Sequence, residues 1–278
     1  MKAIFDESSF KISKLVTNEY STSFSIGIRL LHQSIRQEIY AIYGFVRYAD
    51  EIVDSFGDYD QKDLLLNFID DYYKAVDEGI SLNPILNAFQ KVVNQYKLHS
   101  LVASFLESMK MDLTKANYET IEEYKTYIYG SADVVGLMCL KVFVAGDEDT
   151  YNTLKPFAVK LGSAFQKVNF LRDLKDDIDL LGRSYFPGVD FSQLNENQKR
   201  EIIEEIRQDF KVALEGIKKL PTNCRLGVYV AYKYYLNLLK KLALTNTHEI
   251  LKNRVRIANY KKFYLLNKAI IRYKLNVL

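Results

Sequence analysis

Read for the spacing of its apolar positions, the chain is helical almost throughout. Apolar residues recur at steps of three and four over long segments, and no stretch alternates apolar and polar residues as a half-buried strand does. The pattern predicts helices over Lys11 to Leu31, Ser34 to Val53, Leu64 to Val76 and Leu98 to Met111. Asn83 before Pro84 supplies an N-cap and first-turn pair for one more. Thr120 with Glu123 reads as a capping box, opening a helix that carries Tyr124, Tyr127 and Tyr129. Pro156 starts a long helix bearing Gln166 to Asp177. The Gly- and Pro-containing LGRSYFPGVD (181–190) is a loop, holding Arg183 and Tyr185. Asn195 caps a helix that runs to Lys219. Pro221 breaks it, and Cys224 to Ala243 forms a tyrosine-rich helix. One or two last helices carry Arg254, Arg256, Lys261 and Lys262. The expectation is an all-α bundle of roughly ten helices, one domain over residues 1–278.

Two of these helices carry carboxylates where apolar residues are expected. In QKVNFLRDLKDD (166–177), Gln166, Asn169 or Phe170, Asp173 and Asp177 share one face, with Asp176 beside it. Ala164, Phe165, Val168, Leu171 and Leu174 flank that face, so the helix reads as buried. In IYAIYGFVRYADEIVD (39–54), Tyr43, Arg47, Asp50 and Asp54 align in the same way among Ile39, Ile42, Phe45, Val46, Ile52 and Val53. An unpaired buried carboxylate is costly. Two such helices facing across a cavity would hold two or three Mg²⁺ ions, and through them a diphosphate. One spaced carboxylate pair means little, but two pairs in apolar helices, each with an Arg within a turn, are rarely coincidental.

Other stretches admit two readings. Tyr20-Ser21-Thr22-Ser23 either bonds its hydroxyls back along the helix or offers them to a phosphate. Gly130, Ser131, Ala132 and Gly136 mark either a kink beside a ligand or tight helix packing. The chain has 21 Tyr and no Trp. Most of these rings read as filler, with Tyr43 and Tyr127 expected at the cavity, where aromatic faces favour a cation.

Composition narrows the class. Pro (4) and Gly (12) are scarce, as long helices require. Cys139 and Cys224 have no metal-ligand spacing and read as buried free thiols of a reducing compartment. MKAIFDESSF lacks the apolar stretch of a signal peptide, and no apolar run approaches the ~18 residues of a membrane span. The net charge is +3, but residues 251–278 hold eight basic side chains and no acidic one, leaving −5 on the rest. That cationic segment is either a solvated helix, a surface for anionic lipid, or a cover for an anionic substrate. Nucleic acid is not expected, since the balance is near neutral and no binding motif appears.

STSF (21–24), YGFVRYADEIVD (43–54), YGSADVVGLM (129–138), FQKVNFLRDLKDD (165–177), SYFP (184–187) and KNRVRIANYKK (252–262) together resemble the phytoene/squalene synthase family, in order and over nearly the whole chain. The bacterial phytoene synthases of carotenoid pathways are the most similar members. The resemblance implies an all-α isoprenoid-synthase bundle around a central cavity. It implies head-to-head coupling of two prenyl diphosphates, geranylgeranyl diphosphate giving phytoene through a cyclopropyl diphosphate. Asp50, Asp54, Asn169, Asp173 and Asp177 match its metal positions. Tyr20, Ser21, Thr22, Ser23, Tyr43, Arg47, Gln166, Arg172, Tyr185, Tyr234 and Arg254 match positions that contact substrate, and Arg47 and the four aspartates are the catalytic set. Mg²⁺ is the expected metal, Mn²⁺ an alternative, and no NADPH is expected. The resemblance implies a cytoplasmic place, with peripheral association at the inner face of the cell membrane as an expectation. Two departures stand out: DLKDD replaces the common DxGED, and Asp133 stands where Gly is frequent.

Three other functions compete: a squalene or dehydrosqualene synthase using farnesyl diphosphate, an inactive assembly factor of the same fold, and a terpene cyclase. Ile28, two helical turns beyond Ser21, is a candidate for the floor of the tunnel that takes the prenyl tail, and Tyr40 for its opposite wall. The alternative for Ile28 is an ordinary core position.

Overall fold

Side-chain caps open about half of the helices in this protein. In a computed structural model, residues 1–115, 117–179, 183, 185–188 and 194–275 are described. They form thirteen α-helices and no strand. Asn83 accepts from the amides of Ile85 and Leu86 and opens α5 (Pro84–Tyr96). Thr120 and Glu123 complete a reciprocal capping box on α7 (Ile121–Ile128), and Asn195 with Gln198 does the same for α10 (Glu196–Lys219). α4 (Gln61–Glu78) extends its predicted span at both ends, while α3 (Arg36–Ser55) and α6 (His99–Asp112) start and end one or two residues later than predicted.

The first predicted segment is two helices, α1 (Lys2–Tyr20) and α2 (Thr22–Arg29). Ser21 breaks them: its backbone is extended, and its hydroxyl accepts from the Phe24 amide at 3.2 Å as the N-cap of α2. Ser25 then donates across the break to the Thr17 carbonyl at 3.1 Å. α1 starts nine residues earlier than periodicity suggests, because its buried face is hydroxylic. Ser9, Ser13 and Thr17 are wholly buried and donate back to Phe5, Ser9 and Ser13.

The long helix does not begin at Pro156. α9 runs from Glu148 to Asp179 with Pro156 inside it. Asp147 starts it, accepting from the Thr150 amide at 2.8 Å. Pro156 and Asn152 both lie on the exposed side, so the carbonyl that loses its donor can be hydrated. Between α7 and α8 (Val134–Phe143) the chain widens into a π-turn over Tyr129–Asp133. This answers the small-residue question in favour of both readings. A Cβ at Gly130 would sit 2.8 Å from the Ser104 carbonyl oxygen of α6, so close packing needs Gly there, while Ser131, Ala132 and Gly136 line the central cavity. α11 (Thr222–Leu244), α12 (Thr247–Lys252) and α13 (Asn259–Lys274) close the chain.

Behind the polar face of α3, Phe45 is fully buried. It stacks on Phe89 of α5 at 4.0 Å and on Phe68 of α4 at 5.3 Å. That aromatic core holds α3 against α4 and α5 and turns Tyr43, Arg47 and Asp50 toward the cavity. Across it, α9 packs along α8 and α10, presenting Gln166, Asn169 and Arg172.

Candidate active site

α2, α3, α8, α9, α10 and α11 enclose a cavity of about 780 Å³. Tyr20, Ser21, Thr22, Ser23, Tyr43, Arg47, Asp50, Gln166, Asn169, Arg172, Arg254 and Lys262 line one end. Tyr20, Thr22 and Arg254 are solvent-exposed, so this end is the mouth. Most of the rest of the lining is apolar, with the buried Ile28, Leu31, Ile42, Leu140, Phe143 and Ile217 among it. Four rings stand between the two regions. Phe165 stacks on Tyr235 at 4.0 Å, and Phe24 lies 5.7 Å from Tyr43 and 6.1 Å from Tyr235.

The mouth is a network of opposite charges drawn from distant segments. Arg172 holds Asp173 in a bidentate pair, with Nε 2.8 Å from Oδ1. Arg254 reaches the same oxygen at 2.7 Å. Arg47 pairs with Glu51 one turn on, and its guanidinium lies 4.5 Å above the Tyr20 ring. The buried Arg183 donates to Asp54 Oδ1 at 2.8 Å and to the carbonyls of Val53 and Asp112.

Among the described residues Asp50 and Asp177 have no such ion pair. Burial, then the neighbouring Asp54, pushes the Asp50 carboxyl well above its usual range. Asp177 is pushed up to about 8 by burial and by Asp173 and Asp54. α3 and α9 meet at the mouth, where Arg47 and Asp50 of one and Asn169 and Arg172 of the other line the same cavity. Burial also raises Asp112 of α6 to about 7, with Arg183 opposing the rise from 3.9 Å away at the buried Oδ1. Burial pushes the Tyr43 hydroxyl, which is bonded to Ser21, up to about 12.

A model of the squalene/phytoene synthase family matches residues 17–261. The chain belongs to that family. It is 27% identical to the phytoene synthase of Arthrospira platensis over 95% of this chain and 93% of that protein. It is 26% identical to the 15-cis-phytoene synthase of Synechocystis sp. over 96% of this chain and 86% of that one. Its fold is the all-α isoprenoid-synthase bundle. It superposes on a ligand-bound dehydrosqualene synthase with a TM-score of 0.81 at 21% identity, covering 97% of this chain and 98% of the other. On a squalene synthase from Alicyclobacillus acidocaldarius the TM-score is 0.74 at 19% identity, covering 86% and 94%.

Against that family frame, several positions sit differently from expectation. Tyr185 and Tyr127 are not in the cavity lining. Tyr185 stacks on Phe170 at 4.0 Å and lies 5.4 Å from Tyr127, behind the mouth. Ser184 of the SYFP stretch lies outside the described residues, as do positions 181, 182, 189 and 190 of the loop. Tyr40 is buried but does not line the cavity, whereas Ile28 does. Tyr234 lines the cavity and donates to the Lys262 carbonyl at 2.9 Å. Its neighbour Tyr235, absent from the expected set, donates to Asn169 Oδ1 at 3.3 Å. Arg183, Asp112 and Lys262 are likewise additions, brought in by contacts that no local motif encodes. Asp54, Asp173 and Asp177 stand beside the cavity rather than in its lining. Among the described residues no three carboxylates, histidines or cysteines gather closely enough to cage a metal. Cys139 lines the cavity and Cys224 is buried, both as free thiols.

Proposed function

We propose that this protein is a prenyltransferase that joins two molecules of geranylgeranyl diphosphate head to head, giving phytoene through a cyclopropyl diphosphate. The observation that carries this reading is one cavity that is cationic and hydroxylic at its mouth, ringed by aromatics at its throat, and apolar to its floor. A prenyl diphosphate has the same order of parts. The phytoene synthases among its relatives support the choice of substrate.

The site's chemistry fits Mg²⁺, with Mn²⁺ as an alternative. Asp50 and Asp177 are both buried carboxylates beside other carboxylates and short of positive charge. Mg²⁺ usually takes one or two carboxylates together with substrate phosphates. Separated pairs at Asp50/Asp54 and at Asp173/Asp177, with Asn169 one turn before, suit that mode better than a closed cage. When bound, the metal neutralises the charge of the leaving diphosphate.

The chain's own groups do the rest. Arg47, Arg172 and Arg254 exchange a carboxylate for phosphate oxygens, with charge-assisted hydrogen bonds in both states. Ser21, Thr22, Ser23, Tyr43 and Gln166 add donors to the same end. Ionisation leaves an allylic cation beside Phe24, Tyr43, Phe165 and Tyr235, whose faces stabilise it. The double bond of the second substrate attacks it, and proton loss closes the cyclopropane. A second ionisation opens that ring, and proton loss leaves the conjugated triene without a hydride donor, so no NADPH is needed. The apolar lining keeps water from trapping the cations.

Incubation with geranylgeranyl and farnesyl diphosphate, each with and without NADPH, followed by product extraction, tests this. Phytoene from the longer substrate without NADPH is the expected result. Squalene or dehydrosqualene from the shorter one would assign the alternative chemistry, and no product from either would leave a binding protein of the same fold. The apolar tails put both substrate and product in a bilayer, which no helix of the described residues is long and apolar enough to cross.

A further inference from the structure

α13 is held by one face only. Leu265 and Ala269 are buried against α11, one turn apart. On the opposite side Tyr260, Phe263, Tyr264 and Ile271 are 80%, 68%, 59% and 57% exposed. Steps of three, four and seven put these side chains in a single stripe. Four large apolar residues aligned on one exposed helix face are a costly surface in water.

The flanks of the stripe are cationic. Lys261, Lys268, Arg272 and Lys274 lie on α13, and the Lys268 ammonium sits 5.7 Å from the Tyr264 ring. Lys233 and Lys240 of α11 add to them. Burial, then Arg272, Lys240 and Lys268, hold the Lys233 ammonium below its usual range, so this is a field of like charges pressed together. No acidic side chain follows residue 251 in the sequence. Aromatic rings beside lysines and arginines, on a helix of low mean hydropathy, match an anionic lipid interface: the rings enter the boundary and the cations meet the headgroups.

The helix is also tied to the cavity. The segment leading into α13 contributes Arg254, Val255, Arg256 and Ile257 to the cavity wall, and Lys262 follows on α13 itself. We propose that α13 is a membrane-docking helix that lays its aromatic face into an anionic bilayer and holds the mouth of the cavity at that surface. The docking stands on the surface of α13 alone; only its purpose, delivery of an apolar-tailed substrate, rests on the prenyl-diphosphate reading.

The full-length protein is sedimented with vesicles of phosphatidylcholine alone and of phosphatidylcholine mixed with phosphatidylglycerol. Wild type should pellet with the anionic vesicles, less so as salt is added, and stay in the supernatant with the neutral ones. Lys268→Gln should lower partitioning roughly fivefold, the effect of one basic residue at an anionic surface. Phe263→Ser with Tyr264→Ser should abolish binding while leaving the melting temperature and turnover in detergent micelles unchanged. Failure to bind anionic vesicles overturns the proposal, as does binding that the aromatic double variant leaves intact. A wild-type dimer that the double variant converts to monomer, without vesicle binding, assigns the stripe to self-association and also overturns it. A protein that docks but turns over no prenyl diphosphate would retain the docking and lose the functional reading.

Discussion

Asp133 stands in the π-turn beside the cavity, yet its side chain turns away from it. It is 4% exposed and accepts from Ser163 Oγ at 2.8 and 3.1 Å. Gly162 lets α9 come that close: a Cβ there would lie 2.9 Å from the Asp133 Cα. Burial pushes the carboxyl up to about 7, against 3.8 for an unperturbed one, and the nearby Lys167 only moderates this. Lys167 is engaged elsewhere, with Asp209 at 2.7 Å and with Glu205. Between pH 3.8 and 7 the folded chain therefore holds a proton that the unfolded chain has released. Stability falls as pH rises through that window and levels off above it. The full penalty is on the order of 4 kcal/mol. Asn keeps the acceptor for Ser163 and cannot ionise. Asp133→Asn should thus gain on wild type as pH rises, by about 3 kcal/mol between pH 5 and pH 8. For a chain of this size that is roughly 6 °C or more in melting temperature. Thermal melts of both proteins at the two pH values test it, since every other titrating group cancels in the difference. An Asn variant that is less stable than wild type by the same amount at both would refute the reasoning. Asp133 would then be ionised and paired with Lys167.

Ile28 is buried in the cavity wall, so Ile28→Phe should shift the ratio of kcat/KM toward farnesyl diphosphate; an unchanged ratio in a protein destabilised by roughly 1–3 kcal/mol would make Ile28 a packing residue only. Arg183→Met should cost roughly 3 kcal/mol in urea unfolding, because it strands the buried Asp112 oxygen and two carbonyls while Asp54 stays partly solvated. Asp50→Asn should cut turnover by orders of magnitude. In chelator it should raise the melting temperature above neutral pH, where the wild-type charged form is opposed by burial and Asp54. A melting temperature unmoved by the substitution at any pH would mean that Asp50 is solvated.

The all-α class, most helix boundaries, the two aspartate faces and the family were legible in the sequence, because each depends on residues within a few turns of one another. Periodicity of 3.6, caps such as Asn83 and Thr120, and a carboxylate stripe on an apolar helix need no tertiary knowledge. The start of α1 was not legible, since a buried ladder of Ser9, Ser13 and Thr17 satisfies its hydroxyls internally and reads as polar surface. Nor was the course of α9 through Pro156, which is tolerated only because that side of the helix meets water. The partners of the site were decided by tertiary structure alone. Arg183 meets Asp54 across 129 residues and Tyr235 meets Asn169 across 66. Adjacent helix positions point about 100° apart, so whether Tyr234 or Tyr235 faces Asn169 is set by how α11 is rotated against α9. That rotation comes from the packing of the whole bundle, and no motif of either helix carries it.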